Sequence, residues 1–279
     1  MRNLPIDRVP MVNSGLPGEV SVIVPTLDSA WTIEVLLKSL IAQTHAPLEV
    51  IVVDGGSSDD TVRIAARAGA HVCTPRSNPI GSGVSAARNL GASEAQGGTL
   101  LFLDADMEAE PGLVAEVSRA ASLGKRAIVV PETTYGRGLL GAVRAYERDA
   151  IARVPYLVAA RGIDRDLFRS IDGFDEKLAG FEDLDIQAKL LENGIEVAWV
   201  RSAVRHHEEG VTLRAYRAKR RKYLNGAQRF ASKHPEVAKE MFSPLNRLTS
   251  LARGISGPRT ALLAFGAVVL RVPELLWRP

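Results

Sequence analysis

The feature that most constrains this chain is a repeated alternation of short apolar runs with helical segments. Val20–Pro25, Leu48–Asp54 and Thr99–Asp104 are continuous apolar runs, and the first two are rich in β-branched residues. Continuous hydrophobicity, without alternation, is typical of strands that are covered on both faces. Helical patterns separate these runs, as over Ala30–Gln43. The alternation predicts an α/β fold with a mostly parallel central sheet that helices flank.

Composition limits the class of protein further. A chain of 279 residues with 46% hydrophobic and 24% charged residues can bury a sizeable core and is not typical of disorder. The net charge of +3 is too small to indicate a nucleic-acid partner by itself. Cys73 is the single cysteine, which excludes an internal disulfide framework and a cysteine-rich zinc site. A reducing compartment suits this cysteine content, so we expect a cytoplasmic location.

The two ends of the chain differ from its middle. Residues 1–18 contain prolines and scattered charges without the apolar stretch of a secretory signal, so we expect an irregular arm. Residues 212–279 combine a basic segment, Arg214–Lys222, with an apolar run, Ala261–Leu270, that is too short to cross a bilayer. We expect a basic, amphipathic helical extension that contacts the inner face of the cell membrane. A buried helix and a solvated helix face are the alternatives for these two segments.

Acidic side chains follow the predicted strands. Asp28 lies just after the first strand and Asp54 ends the second, while Asp104 and Asp106 follow a third. Ligands bind open parallel sheets at this carboxyl edge. The two carboxylates of Asp104-Ala105-Asp106 repel each other, and a divalent cation would offset that repulsion. For Asp54, capping of the next turn and a role in binding fit the position equally well.

Four segments carry a resemblance to a known family. PTLDSAWTIEVLLKSLIAQT, LEVIVVDGGSSDDT and SAARNLGASEAQGGTLLFLDAD, in this order and at these intervals, resemble the nucleotide-sugar half of family 2 glycosyltransferases with the GT-A fold. The fourth, RGIDRDLFRSIDGFDEKLAGFEDLDIQAKLLENG, resembles the acceptor half. The resemblance implies one GT-A domain over residues 19–211. Its nucleotide-sugar half would be residues 19–106 and its acceptor half residues 107–211.

The resemblance also implies a site for a UDP- or GDP-sugar. Asp54 would accept a hydrogen bond from the base, although Gly55 stands where many relatives have a second aspartate. Asp104 would contact the ribose or the sugar, and Asp106 would bind the Mn²⁺ or Mg²⁺ that bridges the phosphates. Arg88 would lie near the diphosphate or sugar, with an exposed helix arginine as the alternative. The predicted nucleotide-sugar-binding residues are Pro25, Thr26, Asp28, Asp54, Gly55, Arg88, Asp104, Ala105 and Asp106.

A catalytic pair and a metal ligand complete the implied site. Asp183 would deprotonate the acceptor hydroxyl and Glu182 would help to hold the acceptor, which gives single displacement with inversion. The plainer alternative is that both acids favour the positive end of a helix. In relatives, a histidine at the position of the pair His206-His207 can join the metal, and a packed histidine is the alternative. The predicted metal ligands are two aspartates and one histidine, namely Asp106, Asp104 and His206.

The resemblance therefore implies an inverting hexosyltransferase that acts on a glycan, a small molecule or a lipid-linked acceptor of the cell envelope. A QxxRW motif is not matched after Gln187, which favours addition of one sugar at a time. A non-catalytic module that binds nucleotides or nucleic acid is one alternative, but few aromatic residues interleave the basic segment. A Rossmann-type NAD-dependent enzyme is another, because Gly81–Ala86 matches GxGxxA. That motif follows a proline-rich loop, not a buried strand, which argues against a dinucleotide.

Overall fold

The computed structural model describes residues 15–75, 83–152, 158–178, 180–208, 212–214, 226–241, 243, 249 and 251–275. The strands are β1 (Val20–Thr26), β2 (Glu49–Asp54), β3 (His71–Cys73), β4 (Thr99–Phe102), β5 (Met107–Ala109), β6 (Ala127–Val129), β7 (Glu132–Gly136), β8 (Gly162–Asp164), β9 (Val197–Trp199) and β10 (Val204–Glu208). The helices are α1 (Ala30–Ile41), α2 (Thr61–Arg67), α3 (Gly83–Glu94), α4 (Leu113–Ser122), α5 (Gly138–Ala152), α6 (Arg165–Ser170), α7 (Glu182–Glu192), α8 (Pro235–Met241) and α9 (Pro258–Leu275). Residues 226–233 are also helical.

The central sheet has the strand order β3-β2-β1-β4-β8-β6-β9. Strands β3, β2, β1 and β4 run parallel to one another, and β6 runs parallel to β9, whereas β8 is antiparallel to both β4 and β6. The predicted mostly parallel sheet with flanking helices is therefore confirmed. Thr26 pairs with Asp54 in the register of β1 and β2, so both strands end at the same edge.

Two apolar layers cover the sheet. All seven residues of β1 are buried, and successive side chains point to opposite faces. Val22 and Val24 pack in the layer that contains Leu36 of α1, whereas Ile23 packs in the layer that contains Ala92 of α3. Burial of this apolar surface is the main favourable term in folding. It explains why the strands read as continuous apolar runs in the sequence.

A second, three-stranded sheet was not predicted. Its order is β5-β10-β7, with β10 antiparallel to β5 and parallel to β7. The sequence also favours a strand near Tyr156–Ala160, but residues 158–160 are not in a strand and residues 153–157 lie outside the described part. A strand that was not predicted, β8, begins at Gly162. In this strand, Gly162 packs closely against Ile128. A Cβ atom added at Gly162 would lie only 3.2 Å from the Cβ of Ile128.

The C-terminal helix α9 packs on α5. Val143 and Tyr146 of α5 share an apolar cluster with Ala264 and Ala267, and the Tyr146 hydroxyl donates to the carbonyl of Leu251. In the described part of the chain, no helix is both long and apolar enough to span a membrane. In the terminal regions analysed above, residues 1–14, 215–225, 242, 244–248, 250 and 276–279 lie outside the described residues. Residues 81–82 of the GxGxxA match also lie outside them.

Candidate active site

The loops after β1 and β2 form the first part of the candidate site. The Asp54 side chain is buried, and its Oδ2 accepts hydrogen bonds from the backbone N–H groups of Gly56 and Ser57, both at 2.9 Å. Its Oδ1 accepts one from the Ser57 hydroxyl. Asp54 therefore does cap its own turn, and Oδ1 retains the capacity to accept one further donor.

The loop after β1 is locked to the loop after β2. Asp28 has a backbone φ of 47°, and its Oδ1 accepts a hydrogen bond from the N–H of Ser58 at 2.8 Å. The N–H of Gly55 donates to the carbonyl of Thr26, also at 2.8 Å. The hydroxyl of Thr26 is buried, and it has no hydrogen-bond partner among the described residues. With Pro25 in the same strand, the predicted nucleotide residues of these two loops thus lie together.

Arg88 joins the two predicted halves of the site. It lies on α3 and is only 2% exposed, which excludes the exposed-arginine alternative. Nη2 donates to Oδ1 of Asp104 and Nη1 donates to Oδ1 of Asp183, both at 2.6 Å. The guanidinium carbon also lies 5.1 Å from the ring centroid of Phe174. Burial alone would lower the pKa of Arg88, but the two aspartates outweigh burial and raise it.

Asp104 pairs with two arginines. Besides its bond to Arg88, its Oδ2 lies 3.5 Å from Nη1 of Arg161. Burial would raise the pKa of Asp104, but the two guanidinium charges outweigh it and hold the pKa well below its usual range. Ala105, the residue between the two aspartates, is buried in the apolar layer. Within the described ranges, no three His, Cys, Asp or Glu side chains come together as a metal cluster.

Asp106 and His206 do lie together. His206 is on β10 opposite Met107, and its Nε2 is 3.4 Å from Oδ2 of Asp106. Burial, reinforced by the charge of Arg148, lowers the pKa of His206 to about 4, so the imidazole is neutral at pH 7. Its Nδ1 is buried and has no hydrogen-bond partner in the part of the chain that the structure describes. The side chain of neighbouring His207 points to the opposite face of the sheet, where its Nε2 lies 3.4 Å from Oε2 of Glu108.

This pair fits one side of a divalent-metal shell. A neutral imidazole and a carboxylate are suitable ligands for Mn²⁺, and Mg²⁺ often takes one or two protein carboxylates while substrate phosphates and water complete its shell. The Asp106 side chain is 42% exposed and can therefore meet a ligand that enters from solvent. Of the two adjacent histidines, the geometry favours His206 for this role.

Glu182 and Asp183 begin α7 and have different surroundings. Glu182 is buried, and its Oε2 accepts a hydrogen bond from the N–H of Gly180 at 2.6 Å. Burial, together with the adjacent charge of Asp183, raises the pKa of Glu182. The Asp183 side chain is 45% exposed, and Arg88 holds one of its oxygens. Asp183 is therefore the carboxylate of the pair that an acceptor hydroxyl can reach.

Three further charged residues extend this network and were not predicted. Arg161 donates to Oε2 of Glu132 at 3.0 Å, and Arg148 donates to Oε1 at 2.5 Å. Burial would raise the pKa of Glu132, but the two arginines outweigh it and lower the pKa well below its usual value. The three residues come from α5, β7 and the turn before β8, so no spacing in the sequence marks them as a group. The one available signal was that Arg161 opens the RGID segment.

Comparison with known proteins identifies a family. The sequence model described as "Glycosyl transferase family 2" matches residues 21–173, which is more than half of the chain. The match includes Arg88, Asp104 and Asp106. The match ends before Glu182 and His206, so the support for a functional part of these two residues comes from the structure and not from this match.

Two curated relatives illustrate the similarity. The pre-mycofactocin glycosyltransferase of Mycobacterium tuberculosis is 28% identical over 244 residues, which cover 78% of this chain and 48% of that protein. The cholesterol galactosyltransferase of Borreliella burgdorferi is 34% identical over 93 residues, which cover 33% of this chain and 26% of that protein. The chain thus spans about half the length of the mycobacterial relative and a smaller share of the other.

Two solved structures share the fold. Residues 1–349 of S. aureus TarS, in complex with UDP-GlcNAc, match with a TM-score of 0.58 at 18% identity, over 92% of this chain and 89% of that one. Glucosyl-3-phosphoglycerate synthase from Mycobacterium tuberculosis, in complex with Mn²⁺, UDP and phosphoglyceric acid, matches with a TM-score of 0.55 at 23% identity. That match covers 76% of this chain and 78% of the synthase. The predicted GT-A fold is confirmed.

Proposed function

The chain belongs to glycosyl transferase family 2, and from this premise we propose that it transfers a sugar from a UDP- or GDP-sugar to an acceptor hydroxyl, with inversion at the anomeric carbon. One observation carries the proposal. Arg88 pairs with Asp104 after β4 and with Asp183 on α7, so one guanidinium joins the donor side to the candidate base. The complexes of TarS with UDP-GlcNAc and of the synthase with UDP support a uridine donor.

Asp183 would act as the general base. Inverting transfer needs a carboxylate that takes the proton of the acceptor hydroxyl as that oxygen attacks the anomeric carbon. Asp183 is exposed enough to meet the acceptor, and Arg88 holds it in one orientation. Glu182 is buried and accepts a backbone hydrogen bond, so its part would be to shape the acceptor side. We propose transfer of one hexose at a time.

Asp106 and His206 would hold Mn²⁺ or Mg²⁺. When bound, the metal supplies positive charge that stabilises the leaving diphosphate. The Mn²⁺ in the complex of the synthase supports a metal of this type. Asp104 is held by Arg88 and Arg161, so its proposed part is contact with the ribose or sugar.

The loops after β1 and β2 would bind the nucleoside. Asp54 and Asp28 hold the two loops in one conformation, which limits the conformational entropy that binding must remove. The buried Thr26 hydroxyl, which has no hydrogen-bond partner within the described ranges, would donate to a bound nucleotide. Pro25 and Gly55 would line the same nucleoside site, at the edge where β1 and β2 end.

The C-terminal region would contact an anionic membrane surface from the cytoplasmic side. Helix α9 exposes Leu262 and Phe265, which lie within two turns of Arg259 on the same helix. Such a surface suits a lipid-linked or other cell-envelope acceptor. A double variant, L262S/F265S, should bind vesicles of anionic phospholipid more weakly than the parent protein. Equal binding of both proteins would remove this part of the proposal.

The central test is an assay for transfer. The protein should release UDP or GDP from one of a panel of nucleotide sugars when Mn²⁺ and a hydroxyl acceptor are present. Asp106→Ala should weaken the Mn²⁺-dependent binding of UDP by isothermal titration calorimetry, without an equal effect on metal-independent binding. A protein that binds a donor sugar but neither hydrolyses nor transfers it would be a non-catalytic nucleotide-binding module.

A further inference from the structure

The helix that carries Glu182 and Asp183 is covered by a separate part of the chain. Residues 226–234 pack against α7 and the turn before it, far beyond the end of the family match at residue 173. Phe230 is fully buried, and its ring centroid lies 5.4 Å from that of Phe181, the residue immediately before Glu182. The packing therefore reaches the first turn of α7.

Buried charges join the same two elements. Asp185 lies two residues after Asp183 and is fully buried. Its Oδ1 is 2.6 Å from Nζ of Lys233 and 2.9 Å from Nε2 of His234. The Nδ1 of His234 is in turn 2.7 Å from Oε1 of Glu192, two turns further along α7. One histidine ring thus spans two turns of the helix, and loss of a partner from a buried carboxylate is costly.

A second attachment holds the segment that leads into α7. Oδ2 of Asp175 lies 3.1 Å from Nη2 of Arg229 and 3.4 Å from Nζ of Lys233. Asp175 directly follows Phe174, whose ring lies against the guanidinium of Arg88. Residues 226–234 therefore hold both ends of the stretch 175–185, and this stretch contains the candidate base.

We propose that residues 226–234 are a positioning element for transfer, in which Phe230, Lys233 and His234 hold α7 so that Asp183 meets Arg88 and the acceptor. This proposal rests on the proposed role of Asp183 as the base. The contacts of the segment go to α7 and to the turn before it, on the acceptor side of the site. A shift of about 1 Å in a reacting group can reduce the rate by about 100-fold. Loosening of α7 should therefore reduce turnover more than donor affinity.

The test uses His234→Gln and Lys233→Gln in the full chain, with Lys239→Gln as a control. Lys239 is an exposed lysine on α8, so the control removes the same charge from the same region. Each of the two test variants should lower kcat by about 10- to 100-fold, while the Kd for UDP with Mn²⁺ changes by less than about twofold. Hydrogen exchange should become faster in residues 181–190. The control should match the parent protein, and Lys233→Arg should retain most of the turnover.

Different results separate this proposal from the proposed function. Unchanged kcat and unchanged exchange in both test variants would overturn the positioning role, as would an equal loss of UDP affinity and turnover. If His234→Gln does not fold, Lys233→Gln still decides, because Lys233 is one-third exposed and its loss is better tolerated. Near-normal turnover of Asp183→Asn would reject the base but not the attachment of residues 226–234 to α7, which hydrogen exchange reports independently.

Discussion

The nucleotide loops and the charge network of the candidate site are held in different ways. The loops after β1 and β2 are shaped largely by hydrogen bonds to backbone N–H groups, such as those that Asp54 accepts from residues two and three positions later. The charge network joins side chains that are distant in sequence, and the pair Arg88–Asp183 spans 95 positions. Most of the network is buried. Its arginines outweigh burial and lower the pKa values of Asp104 and Glu132, whereas burial, reinforced by the charge of Arg148, lowers the pKa of His206. Substitutions in the network should therefore have larger effects than substitutions in the loops.

The largest expected effect is on turnover, from Asp183→Asn. The amide keeps the size of the side chain but cannot take the proton of the acceptor, so kcat should fall by about 10³-fold. UDP affinity should change little, because Asp183 lies on the acceptor side. Initial rates and calorimetry with UDP would measure the two effects. Asp166→Asn, at a carboxylate that is 64% exposed, is the matched control. If Asp183→Asn keeps more than about a tenth of the parent kcat, Asp183 is not the general base.

Glu132→Gln should have the largest effect on stability. The variant leaves the guanidinium groups of Arg148 and Arg161 without their shared carboxylate, and loss of one member of a buried ion pair costs about 3–5 kcal/mol. Urea unfolding followed by circular dichroism would measure the change. Glu34→Gln removes one partner of an exposed i,i+4 pair with Lys38 and should have no measurable effect. Equal stability of the two variants would show that the network is not a structural element.

His206 should make stability depend on pH. Its pKa is about 4 in the folded protein, below the usual 6.5, so between these values the unfolded chain binds a proton that the folded chain does not. Stability contributed by this group is therefore lost as pH falls from 6.5 to 4, by about 3 kcal/mol in total. Urea unfolding at several pH values, without divalent metal, should show this slope. The slope should be shallower in His206→Gln, and an identical slope would mean that other groups cause it.

The smallest effect is expected in the nucleotide loops, from Ser57→Ala. The Ser57 hydroxyl donates to Asp54 and accepts from the N–H of Asp28 at 2.8 Å. Its loss should cost about 1 kcal/mol of stability, since one ordinary hydrogen-bonding group is removed and water can reach the exposed donor. UDP affinity should fall only a few-fold. Ser58→Ala, one residue further along the same loop, allows the two hydroxyls to be compared. A loss comparable to that of Glu132→Gln would remove the contrast between the two regions.

The sequence was most informative where structure follows from local pattern. Continuous apolar runs predicted β1, β2 and β4, because a strand buried on both faces favours apolar residues on both faces. The topological rule for parallel sheets then placed Asp28, Asp54 and Asp104 at one edge. The short strands β5, β7 and β10 were missed, because three to five residues with charged side chains carry no periodic signal.

The sequence by itself determined the α/β fold, the carboxyl edge of the parallel strands and the acidic residues at that edge. Only the tertiary structure decided how these acids are used. It paired Asp104 with Arg88 and Arg161, placed the side chain of His206, and not that of His207, beside the Asp106 carboxylate, and brought Glu132 and residues 226–234 to the candidate site. The physical reason is that hydrophobic periodicity reports the burial of each residue along its own element. Ion pairs between distant residues depend on how those elements pack, and no local pattern records that.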